Sequence, residues 1–309
     1  MTNKPKRQYR VRNWRDYNKA LVSRGSLTVW IESRSTDTWL DRDTPARRGR
    51  RRTYADAAIL CALTLREVYH LPLRATGGLV SSVLRVLGVG LPAPDYTTLC
   101  RRARSLEVGL SAPARRGPLH LVVDSTGLKV YGEGEWKVRL HGVDKRRTWR
   151  KLHLMIEHRG QAVVAASISG KELLDRHAVP GLLSQVEGRV SEVLGDGAYD
   201  YSVCYEAISE RGARAIIPPK KRARLWGKPH AGSRDANVKA MRRVGLEGWK
   251  EERRYHRRSL VETAMMRLKA IFSDKLKSRT FDRQEVEARV RCAALNRMIG
   301  LGMPRSYAV

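Results

Sequence analysis

Hydrophobic positions fall into two regimes along this chain. Ahead of residue 110 they recur at helical spacing: Ala58, Leu60, Cys61, Leu65 and Val68 mark a helix over 54–71. A second helix is predicted over 73–87, with Pro72 between the two and Gly77 and Gly78 tolerated near its start. The turn 88–94 leads to Asp95, a residue suited to cap a third helix through 107. From Pro118 the period shortens. Apolar runs at 119–123, 128–131, 151–158 and 161–169 predict strands, 175–186 a helix, 190–194 a strand, 202–211 a helix and 213–218 a strand. Further helices are predicted over 255–273 and 284–299. These strand runs, a helix, then strand–helix–strand predict an α/β domain compatible with an RNase H-like core. Alternation alone leaves the strand order open.

These regimes suggest a division into three parts. Residues 1–52 hold fifteen basic and five acidic side chains, with Lys4, Lys6, Arg7, Arg10, Arg12 and Arg15 interleaved with Tyr9, Trp14 and Tyr17. The run Arg47-Arg48-Gly49-Arg50-Arg51-Arg52 follows. Such an arm tracks phosphates or enters a minor groove, unless it is only a solubilising tail. Residues 53–112 read as a helical DNA-binding domain of helix-turn-helix type, because the third helix presents Thr97, Thr98, Arg101, Arg102 and Arg104. The alternative is a plain helical bundle. Residues 113–309 form the expected catalytic domain, interrupted at about 219–254 by a stretch with little hydrophobic periodicity. Over 211–258 sixteen Lys and Arg face four acids, so this is expected to be a basic loop or small insertion against DNA.

Charge narrows the partners. Sixty-one Lys and Arg against thirty-one Asp and Glu leave a net +30 on 309 residues. A surface this positive attracts polyanions, and counterion release rewards many phosphate contacts. Double-stranded DNA is the expected partner, with a ribosome-associated role as the competing reading. Cys61, Cys100, Cys204 and Cys292 lie far apart with no CxxC pair, which argues for reduced thiols in a cytosolic chain and against zinc. Neither an apolar run near eighteen residues nor a signal-peptide core is present, so membrane insertion and secretion are not expected.

Two acids stand out against this background. Asp124 follows Leu121-Val122-Val123, and Asp196 follows Val193-Leu194-Gly195. Each alone reads as a cap or turn residue. At the ends of neighbouring core strands, however, two carboxylates repel each other unless a cation lies between them. Mg²⁺ would offset that repulsion through hard oxygen ligands, and Mn²⁺ would also serve. Glu262 is less distinctive, since Arg258 and Glu262 could be an ordinary i,i+4 pair. Arg258, Glu262, Met266 and Lys269 nevertheless fall on one helical stripe, which places two cations beside a third carboxylate.

Tyr255, Arg258, Glu262 and Lys269 fit a Y-(2)-R-(3)-E-(6)-K spacing. With them stand Asp124-Ser125-Thr126-Gly127-Leu128-Lys129, Gly132-Glu133-Gly134-Glu135-Trp136-Lys137, Trp149-Arg150-Lys151-Leu152-His153 and Asp196-Gly197-Ala198-Tyr199-Asp200. In these motifs, in 13–21 and in 301–304, the chain resembles DDE transposases of the IS5 family, closest to the IS903-like group. Ser125 departs from the Gly associated with that group, a small-for-small change. The resemblance implies an RNase H-like core with Asp124, Asp196 and Glu262 as catalytic, metal-holding triad and two Mg²⁺ per site. It implies binding of terminal inverted repeats, cleavage at element ends and attack of the freed 3′-hydroxyls on target DNA. It further implies at least a homodimer on DNA, in the bacterial cytoplasm at the nucleoid. Tyr255, Arg258, Lys269, Lys151, His153, Arg101 and Arg102 are the expected DNA-binding or substrate-orienting residues. His153 could equally be a satisfied sheet residue. A nuclease that cleaves without joining and a repressor-like DNA-binding protein are the rival readings.

Overall fold

The computed structural model describes residues 9–31, 36–42, 52–110, 117–130 and 149–309. The expectations for Lys4, Lys6 and Arg7, for 47–51, and for the motif 132–137 lie outside those residues. In chain order the elements are β1 (Tyr9–Val11), α1 (Trp14–Ser23), α2 (Leu27–Trp30), α3 (Asp56–Val68), α4 (Leu73–Val86) and α5 (Tyr96–Arg102). Then come β2 (Leu119–Val130), β3 (Trp149–Glu157), β4 (Val163–Gly170), α6 (Val179–Leu183), β5 (Val190–Leu194), α7 (Ser202–Glu210) and β6 (Arg214–Ile216). The chain closes with α8 (Gly232–Glu252), α9 (Ser259–Phe272), β7 (Lys275–Leu276), α10 (Phe281–Leu301) and β8 (Ser306–Ala308).

The main sheet runs β4-β3-β2-β5-β6. β2, β3 and β4 form an antiparallel meander, whereas β5 joins β2 and β6 joins β5 in parallel. This mixed α/β order is consistent with an RNase H-like core. Alternation along β2 divides the apolar side chains between two layers. Val122 and Leu128 pack with α3, α9 and α10, while Leu121 and Val123 pack with α6 and α7. β2 is one continuous strand, where a break at 125–127 was expected. It pairs with β3 from Leu121 to Lys129, and Gly127 lets it run close to Trp149, whose ring would lie 3.2 Å from a Cβ at that position.

The N-terminal helices do not have a core of their own. Ile59, Leu65, Leu84 and Leu99 share one apolar cluster with Leu152, Leu268 and Leu295. Arg291 of α10 is fully buried there, with Nε 2.8 Å from Glu67 of α3 and Nη2 2.5 Å from Glu287. Nor is 9–31 a free arm: β1 pairs antiparallel with β8, and Trp30 is buried with its indole N–H on the Arg24 carbonyl. Asp95 caps α5 as expected, accepting from the Thr97 and Thr98 N–H groups at 2.8 Å. That helix ends at Arg102, short of the expected 107.

The segment 219–254 also differs from expectation. It holds α8, a 21-residue helix bent at Gly245, where φ is 73°. Its buried face includes Arg234 and Asn237 beside Val238, Ala240 and Trp249, so polar core residues hide the helical period. Asn237 donates to the Ala215 and Ile217 carbonyls at 3.0 and 3.4 Å and accepts from the Trp249 indole at 3.2 Å. α8 thereby covers the edge strand β6, whose outer carbonyls would otherwise lack partners. Among the described residues, no helix is long and apolar enough to cross a membrane.

Candidate active site

Parallel pairing of β2 with β5 runs through His120↔Glu192 and Leu121↔Val193 to Val122↔Leu194. Two residues beyond that last rung stand Asp124, within β2, and Asp196, just past the end of β5. β7 takes up pairing with β2 again only at Lys129. The stretch of β2 between these two partners forms a notch, and Asp124 lies in it. The chain leaves β5 through Gly195, where a Cβ would meet the Tyr199 ring at 3.1 Å and Val123 at 3.3 Å. Asp196 then caps the 3₁₀ turn Gly197–Tyr199, accepting from the Ala198 N–H at 2.9 Å.

The third acid comes from above the same face. α9 packs on β2 through the apolar layer that holds Val261, Ala264 and Leu268. Glu262, on its first turn, is exposed. Before it lies the 3₁₀ turn Tyr255–Arg258. Arg258 reaches both acids, with Nη1 3.2 Å from Asp124 Oδ2 and Nη2 hydrogen-bonded to Glu262 Oε1. Tyr255 donates its hydroxyl to the Gly195 carbonyl at 3.1 Å and sets its ring against Trp249. Lys269 lies two turns along α9 from Glu262.

The electrostatics of the notch follow from crowding like charges at partial burial. Burial pushes the Asp124 carboxyl up, and Asp196 and Glu262 add to the rise, against the Ser125 N–H and Arg258. Tyr255 is pushed up to about 12, mainly by burial, with Arg258 opposing and all three acids adding. Burial pulls the Arg258 guanidinium down, but Tyr255, Glu262 and Asp124 outweigh it and hold it above its ordinary value. Among the described residues, no group of three His, Cys, Asp or Glu side chains converges tightly enough to grip a metal ion. The chemistry of the donors still suits a hard divalent cation: they are carboxylates, they repel one another, and Arg258 bridges two of them.

The other expected residues separate. Lys151 and His153 alternate onto the opposite face of β3 from Leu152 and Leu154, away from Arg258. There the Lys151 ammonium lies 3.1 Å from Asp175, and His153 Nε2 lies 2.7 Å from the Ser169 hydroxyl. Burial pulls the His153 pKa down. His153 is thus held in the sheet through Nε2, while its buried Nδ1 lies 3.9 Å from Asp175 without a hydrogen bond. On α5, Arg101 is exposed, but Arg102 is buried against the Tyr54 carbonyl and Asp56. Arg102 therefore belongs to the helical packing and is not presented to DNA. Tyr199 of the Asp196 motif is buried behind Gly195, and Glu192 of β5 is a buried acid outside the motifs.

A sequence profile described as "Transposase DDE domain" matches residues 115–297, and a second of the same description matches 22–133. Among solved structures, a chain of the piggyBac transposase synaptic complex with hairpin DNA is 10% identical. The match covers 90% of this chain and 75% of that one, with a TM-score of 0.34. A chain of the simian T-cell lymphotropic virus intasome in complex with PP2A regulatory subunit B56 gamma is 15% identical at a TM-score of 0.25. That match covers 62% of each chain, so this chain spans under two thirds of its length. The profile at 115–297 takes in more than half of the sequence, and the chain belongs to the family of transposases with a DDE domain.

Proposed function

We propose that Asp124, Asp196 and Glu262 are the catalytic carboxylates of a transposase of the IS5 family, IS903-like group. In this reading it binds terminal inverted repeats, cleaves at element ends and joins the freed 3′-hydroxyls to target DNA. The observation that carries the reading is Arg258 bridging Asp124 and Glu262 beside the Asp196 turn. The three acids are hard-oxygen donors for Mg²⁺, or Mn²⁺ in its place, two ions per site. When bound, such ions activate an attacking oxygen and stabilise a leaving one. The chain's own residues position the rest. Arg258 balances acid charge and orients a phosphate, Tyr255 ties the α9 approach to β5 through Gly195, and Lys269 offers a further cation along the helix.

End recognition falls to the helical segment 53–112 and the basic segment 1–52, with Arg101 exposed for it. The basic surface of 219–254 supports phosphate contacts, and two protomers are needed to hold two ends. A labelled duplex taken from the DNA flanking the gene, incubated with Mg²⁺ and a target plasmid, tests this reading. Cleaved ends covalently joined to the plasmid are expected. Cleavage that never yields joined product would instead establish a nuclease.

A further inference from the structure

Four residues before Asp124 and Asp196, where His120 of β2 pairs with Glu192 of β5, lies a second charged cluster. Its centre is Glu192, whose carboxylate is almost wholly buried. His120 Nδ1 and Arg257 Nη1 lie 2.9 and 2.8 Å from Oε1, and Arg214 Nη2 lies 3.0 Å from Oε2. Burial pushes this carboxyl up, but the nearby His120, the bond from Arg214 and the charge of Arg257 outweigh it and hold it below its ordinary value.

Arg257 is the informative partner. Its Nε donates to the Arg254 carbonyl at 3.0 Å and its Nη2 to the Arg253 carbonyl at 3.3 Å. Arg254 is left-handed at φ 50°, a conformation unfavourable for a residue with a long side chain. The Arg257 guanidinium thus closes the bend between α8 and the next turn, and its ion pair with Glu192, beside His158 Nε2 at 3.4 Å, draws that guanidinium to the sheet. The turn it closes carries Tyr255 and Arg258.

We propose that Glu192 is a positioning residue. Acting through Arg257, it holds the bend at 253–254 so that Tyr255 reaches Gly195 and Arg258 reaches Asp124 and Glu262. The inference rests on the active-site reading above. Arg214 shares the carboxylate from the solvent side but touches neither bend nor turn, so it serves as a comparison.

Two measurements test the proposal on the full chain. In amide hydrogen exchange without DNA, Glu192→Gln and Arg257→Gln should each speed exchange over 253–258 about tenfold, while β2 and β5 keep their protection. Unchanged exchange over 253–258 overturns the proposal. In cleavage of labelled gene-flanking duplex at saturating DNA, each variant should lose about 10- to 100-fold in rate per folded molecule, since small misplacements of positioning groups cost that much. The double variant should be no slower than the slower single one, Arg257→Lys should recover part of the rate, and Arg214→Gln should stay near the parent. A parental rate for Glu192→Gln, or losses that multiply in the double variant, overturns it. Asp124→Asn separates the two ideas. If it leaves cleavage intact, the active-site reading fails; if it abolishes cleavage while Glu192→Gln does not, only the positioning role fails.

Discussion

Arg258 is the side chain on which the site's charge balance turns. Removing it as Arg258→Gln takes away the cation facing Asp124, so the Asp124 carboxyl should titrate higher than it does in the parent. An acid whose folded pKa exceeds its unfolded value binds the extra proton in the native state. Its contribution to stability is therefore full below the unfolded value and declines as pH rises through the folded one. In Arg258→Gln that decline should extend to higher pH. Carboxyl ¹³C titration of Asp124 reads the shift directly, and an unmoved midpoint would contradict it. Glu192 has the opposite sign, because its folded pKa is depressed. Its contribution is present above the unfolded value and is lost as pH falls through the folded one.

At the scale of elements, α8 shows how polar contacts complete the sheet. Asn237→Leu strips partners from the Ala215 and Ile217 carbonyls and from the Trp249 indole. Leaving buried polar groups unpaired costs about 1–3 kcal/mol, so the urea midpoint should fall, and an unchanged midpoint would contradict the edge-covering role. The same helix marks where the sequence was hard to read. Arg234 and Asn237 occupy core positions, so a search for apolar periodicity finds none and predicts a loop. β2 was legible as strand but split in two, because Ser125-Thr126-Gly127 has turn composition and only pairing with β3 keeps it extended. Arg101 and Arg102 look alike in sequence, and only the packing of α5 on Tyr54 and Asp56 distinguishes them. Asp124 and Asp196 each follow an apolar run and alone read as cap or turn residues; the parallel register that brings the two to matching steps is visible only in the fold.

Across the whole molecule, the helices ahead of the sheet and the helix that closes the chain share one interior. Arg291 bonds Glu67 and Glu287, so Arg291→Leu takes the shared buried cation from two carboxylates and leaves them only Arg66 and the Lys277 and Ser278 N–H groups, a change of about 3–5 kcal/mol. Denaturation of that variant should shift as a single transition, with α3 and β2 losing exchange protection together. Separate transitions would instead indicate two independent units. The net charge of +30 carries its own consequence. Log affinity for duplex DNA should fall linearly with log salt at a slope of about −0.9 per phosphate neutralised, and a flat salt dependence would contradict the electrostatic footing.

The most direct test of the three-acid site compares end cleavage with DNA binding in Asp124→Asn, Asp196→Asn and Glu262→Gln, each nearly isosteric and charge-removing. Each should bind end DNA like the parent in a gel-shift assay, yet cleave it slower by about three orders of magnitude or more. Cleavage at the parental rate by any one of them would contradict its place in the site.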